Sequence, residues 1–106
     1  MSDKHITCIP AVLLDAMKHA DAEQARRLFD DSEFCGHALS YGLTTTGHLL
    51  EDAGATTDFS PDELQAMGKA IALSADLIAG MFAVVDAYRY RQLRGELPFD
   101  GGRKND

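Results

Sequence analysis

The segment Phe59-Ser60-Pro61-Asp62-Glu63-Leu64 carries every local signal of a helix start, and the chain behind it holds an apolar helical pattern for most of the remaining sequence. Ser60 suits the N-cap, Pro61 the first helical position, and Glu63 closes a capping box with Ser60. Phe59 and Leu64 occupy the two positions of a hydrophobic staple. Asp62 and Glu63 suit the positive end of the helix dipole. From there Leu64, Met67, Ile71, Ala75, Ile78, Phe82 and Val85 form one stripe, and Leu73, Leu77, Met81, Val84 and Tyr88 a second. Lys69, Asp76 and Asp86 are the only charges between Leu64 and Tyr88. A helix apolar on two faces belongs at the centre of a bundle. Run unbroken to Arg94, it would be about 50 Å long at ~1.5 Å per residue. A compact chain of 106 residues has a radius of gyration of only about 13 Å. Such a helix therefore bends, with Gly80 the candidate hinge, or projects at one end, or is covered by a second subunit.

Two further helical segments precede it. The first is expected from about Pro10 to Phe29, with Leu13, Leu14, Met17, Ala20, Ala25, Leu28 and Phe29 on its apolar face. Asp21 with Gln24 forms a second capping-box pattern, which would split this segment near His19–Asp21. The next is expected from about Ser32 to Ala53, capped by Asp31 or Ser32 and stopped by Gly54. Its apolar face reads as Phe34, Ala38, Tyr41, Thr45 and Leu49. Gly36, Gly42, Gly47 and the run Thr44-Thr45-Thr46 weaken it and mark a kink near Gly42–Gly47. The fold class read from this pattern is all-α: a small bundle of three main helices, the first divisible in two, around a long C-terminal helix. Residues 1–95 form a single domain, and residues 96–106, with Pro98, Gly101 and Gly102, read as a mobile tail.

Composition agrees with one ordinary domain: 45% apolar, 25% charged and no Trp, the balance of a folded globular chain. The net charge of −7 is unevenly spread. Residues 28–68 contain no Lys or Arg, yet hold Asp30, Asp31, Glu33, Glu51, Asp52, Asp58, Asp62 and Glu63. An acidic middle repels nucleic acid and attracts basic protein surfaces; the plain alternative is a solvated face that aids solubility. Arg89, Arg91 and Arg94 cluster at the end of the last helix, where they complement its dipole. Residues 1–9 lack the apolar core of a signal peptide. The most apolar run, Ala70 to Val85, is too short to span a bilayer, carries Asp76 near its middle, and reads as a buried helix. A reducing cytoplasm is the expected setting for Cys8 and Cys35.

Patterns for chemistry are weak. His5, Cys8, Cys35 and His37 make a split H-x2-C and C-x-H set with zinc-type donors, but free Cys is commonly a small buried hydrophobe. Cys35 with His37 or His48 as base would need an orienting group and an oxyanion site, and no motif marks either. His37 and His48 share a helix face about 16 Å apart, too far for one metal. Asp30-Asp31-Ser32-Glu33 lacks the alternating ligands and central Gly of a calcium loop. No glycine motif follows a strand, so no phosphate loop is implied. The expectation is a non-enzyme with no cofactor and no metal.

The stretch from Gly47-His48-Leu49-Leu50-Glu51-Asp52-Ala53-Gly54 to Ala70-Ile71-Ala72-Leu73-Ser74-Ala75-Asp76-Leu77-Ile78 resembles small helical proteins carried by phages and mobile elements of proteobacteria. With the chain's length and acidic middle, it looks like the phage-encoded anti-CRISPR proteins directed at type I systems. That resemblance implies an inhibitor, cytoplasmic in the bacterial host, which binds a Cas subunit and blocks target binding or nuclease recruitment. The partner-binding residues expected on charge grounds are Asp30, Asp31, Glu33, Glu51, Asp52 and Asp58, set against a basic protein surface, without direct nucleic-acid or membrane contact. The alternative is a regulatory or structural helical module that self-associates or binds another protein, as monomer or homodimer.

Overall fold

The computed structural model describes residues 7–99. It is all-α: α1 (Ile9–His19), α2 (Ala22–Gly54) and α3 (Pro61–Leu93), with no strand among the described residues. The start of α3 forms as its residues dictate. Ser60 Oγ accepts the Glu63 N–H at 3.1 Å, and Glu63 Oε1 accepts the Ser60 N–H at 2.9 Å. The second capping box also forms and divides α1 from α2: Asp21 Oδ1 accepts the Gln24 N–H at 2.8 Å, and Gln24 Oε1 the Asp21 N–H at 3.4 Å.

Three boundaries differ from expectation. Asp31 and Ser32 cap nothing, because the helix begun at Ala22 continues through them to Gly54. One helix start ten residues earlier is enough, and propagation costs less than a new nucleus. α2 also runs on as helix through Gly42 and Gly47. Gly54 is the last helical residue rather than a left-handed stop. The left-handed glycine is Gly95, at φ +82°, after α3. There the Gly95 N–H bonds to the Gln92 carbonyl at 3.0 Å and the Glu96 N–H to the Arg91 carbonyl at 2.9 Å. This is a Schellman closure.

The chain runs down, up and down. α1 lies parallel to α3, since Pro10 meets Gly80 while the Met17 and Ala20 carbonyls meet Arg91. α2 lies antiparallel to it, with Phe29 stacked on Tyr88 at 4.3 Å and His37 edge-on to Phe82 at 5.2 Å. Both pack on α3 and hardly touch one another, so α3 is central as expected. The core is confined to one end: Met17, Ala25, Phe29, Val84, Val85, Tyr88 and Leu97. The first residues of the segment expected as a tail are described. Leu97 is buried, and the Pro98 carbonyl accepts Gln92 Nε2 at 2.8 Å; residues 100–106 of that tail lie outside the described residues.

α3 does not break at Gly80. That glycine instead lets α1 close on α3: a Cβ there would overlap the ring of Pro10. Above this point α1 ends, and α2 and α3 continue as a two-helix hairpin. The molecule is 56 Å long with a radius of gyration of 17.9 Å. It exposes 7312 Å², where a compact monomer of its mass exposes about 5,800 Å².

Gly80→Ala should lower unfolding free energy by about 1–3 kcal/mol, since Pro10 must move. Gly47→Ala, where nothing lies within 4 Å, should raise it by up to ~1 kcal/mol through helix propensity. Urea melts of both variants check the pair.

Candidate interaction surface

None of residues 37–79 is buried. In this hairpin the seam of α2 against α3 continues the line of Ala25, Phe29, Ser32 and Gly36 through Leu39, Leu43, Thr46 and Leu50, a regular three-four spacing. The cleft beside it is lined by Leu39, Leu43 and Thr46 from α2 and Ala70, Ile71 and Ser74 from α3. The expected apolar face of α2 is therefore the wrong one. Phe34, Ala38, Tyr41, Thr45 and Leu49 all face solvent, with Phe34 73%, Tyr41 77% and Leu49 63% exposed. The true seam is built partly from small and polar residues, and so carries a weaker hydrophobic signal than the exposed face.

The six expected partner-binding carboxylates do not form one patch. Asp30 and Asp52 are separated by about 33 Å along α2. Angularly they divide into two sets, at about 100° per residue. Asp30, Asp31 and Asp52 fall within the arc that holds Phe34, Tyr41 and Leu49, giving one exposed face of acidic ends and aromatic middle. Glu33 and Glu51 point to another side of α2. Glu33 is half-buried, and its Oε2 lies 4.0 Å from Arg89 Nη2. Asp58 is exposed in the connection between α2 and α3, near the free end of the hairpin. Asp30 is bonded to Arg26 one turn earlier, Nε to Oδ1 at 3.1 Å; such exposed pairs contribute little to stability. Glu51 and Asp52 stand at the C-terminal end of α2, whose last turn has no basic residue. That is the end at which the helix dipole disfavours negative charge.

The arginines at the opposite end are engaged within the chain. Arg91 Nη1 donates to the Met17 carbonyl at 2.8 Å and the Ala20 carbonyl at 2.9 Å, and its Nε to Glu96 at 2.9 Å. It thus caps α1, not its own helix as expected. Arg94 pairs with Glu96 at 2.7 Å and lies over the Tyr90 ring. Arg89 lies over Phe29. Among the described residues no three His, Cys, Asp or Glu side chains converge to hold a metal; Cys8 is exposed, Cys35 half-buried, and His5 lies outside the described residues.

α3 is long and apolar enough to cross a membrane by length and composition, and only 17% of its most apolar window is buried within the chain. The run from Ala70 to Val85 is thus not the buried helix expected from its composition. Its first half, including Ile71 and Leu73, is exposed, and its second half, with Val84 and Val85, enters the core.

No protein-family model, curated protein or solved structure matches this chain.

Replacing exposed Phe34 or Tyr41 by Ser should shift stability of the isolated chain by no more than about 0.5 kcal/mol. Phe29→Ala, by contrast, should cost about 3–5 kcal/mol. Denaturant midpoints of the three variants separate the exposed face from the core.

Proposed function

We propose that this chain is a non-enzymatic binding protein whose working surface is the outward face of α2. The observation that carries this reading is the exposure of Phe34, Tyr41 and Leu49 in a line flanked by Asp30, Asp31 and Asp52. Aromatic residues held in the open on a helix are typical anchors of protein interfaces. The flanking carboxylates set the charge of the partner: a basic surface with apolar pockets between its cations. The side of α2 turned away from α3 is presented, so the contact is of the helix-in-groove kind.

The narrower reading is an inhibitor of a type I CRISPR effector, acting in the cytoplasm of a bacterial host. Its support is the resemblance of the second and third helices to phage-encoded proteins, together with a surface suited to the basic grooves of nucleic-acid-handling subunits. Glu51, Asp52 and Asp58 at the free end of the hairpin would extend that contact, and the position of Glu51 and Asp52 against the helix dipole of α2 is one that local stability does not favour. The geometry favours a combined aromatic and acidic contact over a purely electrostatic one, since Glu33 and Glu51 do not share the aromatic face.

The test is direct binding to purified subunits of a type I effector complex, comparing the wild-type chain with Tyr41→Asp and with Asp31→Lys/Asp52→Lys. The wild type should bind one subunit, and each variant should bind it at least about tenfold more weakly. Binding untouched by Tyr41→Asp would remove α2 as the working face. Binding to no subunit would remove the CRISPR partner.

A further inference from the structure

A second exposed face lies on α3. At about 100° per residue, Lys69, Leu73, Asp76, Gly80, Val84, Ala87 and Arg91 share one side of the helix. The lower part of that side is covered by α1: Gly80 meets Pro10, Val84 is fully buried, and Arg91 bonds the last carbonyls of α1. Among the described residues, no helix lies against the upper part. There a depression of about 460 Å³ opens above the start of α1, lined by Ile9, Lys69, Ala72, Leu73, Asp76 and Leu77. Leu73 is 43% exposed.

Lys69 and Asp76 are seven residues apart, two helical turns on one side, about 10 Å from each other. That is too far to pair within the helix, and neither has an ion pair or hydrogen bond among the described residues. In an otherwise apolar face, two opposite charges at this spacing are self-complementary. If a second α3 lies antiparallel across the first with the two-fold axis between Ala72 and Leu73, each Lys69 faces the partner copy's Asp76. The small Ala72 and the large Leu73 then meet at the axis, and with the two helices strictly antiparallel the second Pro61 would stand level with Val84, where α1 lies. A crossing angle of about 50°, the commonest in helix packing, draws it back to about the level of Gly80 and carries it past α1.

We infer that the α3 face around Leu73 is a docking site for a second copy of this chain, joined antiparallel by two Lys69–Asp76 ion pairs across a two-fold axis. Charge complementarity selects the copy, because a two-fold interface sets each patch against itself. This dimer leaves the face of α2 free, so it stands or falls separately from the binding reading above.

Sedimentation equilibrium of the full chain tests it, using wild type, Lys69→Asp, Asp76→Lys and the double swap. The wild type should be a dimer. Either single reversal sets like charges together and should weaken dimerisation at least about tenfold, while the double swap should restore it to within about threefold. Helix content by circular dichroism should be the same in all four. A monomeric wild type overturns the inference, as does a dimer indifferent to single reversal or a double swap that fails to restore it. Flotation of a monomeric wild type with anionic phospholipid vesicles, lost in Leu73→Asp, would assign the same face to lipid and likewise overturn it.

Discussion

The seating of α1 on α3 is the contact from which the rest of the structure follows. Pro10 enters the space left by the missing side chain of Gly80, Met17 buries itself beside Val84, and Arg91 closes the far end by donating to two carbonyls that α1 cannot satisfy itself. Carbonyls at a helix end need such partners when they are turned toward the protein, and a guanidinium also answers the negative end of the dipole. The contact is strong but short. With 11 residues, α1 covers only about a third of a 33-residue α3. Among the described residues, the part of α3 from Pro61 to just short of Gly80 has α2 as its one helical neighbour along its length, with only the start of α1 reaching it.

That division explains why one part of the chain was legible in its sequence and another was not. Capping boxes are local, and both of those written as Ser60–Glu63 and Asp21–Gln24 form as read. The all-α class and the central place of α3 rest on periodicity summed over many residues, and these hold too. The register of α2 was read wrongly, for a physical reason. Periodicity identifies which residues share a side, not which side is turned inward. Ser32, Gly36 and Thr46 carry little hydrophobic weight, yet they lie in the seam because α3 brings large residues such as Phe82 against them. Phe34, Tyr41 and Leu49 carry more and lie outside. The three-four spacing of Ala25, Phe29, Ser32, Gly36, Leu39, Leu43, Thr46 and Leu50 was the available signal, visible only if small residues are counted as fit for close helix packing.

The same lesson applies to the candidate site. Charge counting along the chain found the acidic region but could not show that Glu33 turns toward Arg89 while Asp31 and Asp52 accompany the aromatic residues. The apolar length of α3 suggested burial, because a two-faced apolar helix in a soluble chain usually has helices on both sides. Here the second side is half supplied. A hairpin with no buried residue draws little stability from its own packing, since two helices meeting along one seam remove little apolar area from water. Its helices persist as extensions of the segments held in the core, through the cooperativity of helix propagation.

The two exposed faces differ in a way that sorts their partners. The face of α2 carries carboxylates and no cation between residues 28 and 54, so a two-fold pairing of this face with its own copy would set Asp31 and Asp52 among like charges. Like charges brought together in a partly desolvated interface oppose association. That face suits a partner of opposite sign. The α3 face carries one charge of each sign, spaced so that reversal of the chain direction exchanges them, and so would be complementary to an antiparallel image of itself. A dimer formed through α3 would present two α2 faces, each of about 33 Å, on one particle. A partner offering two basic grooves at matching separation would then be held far more tightly than by either face alone, because the second contact forms at high effective concentration. Association through one face thus raises the strength of binding through the other without adding any residue to it.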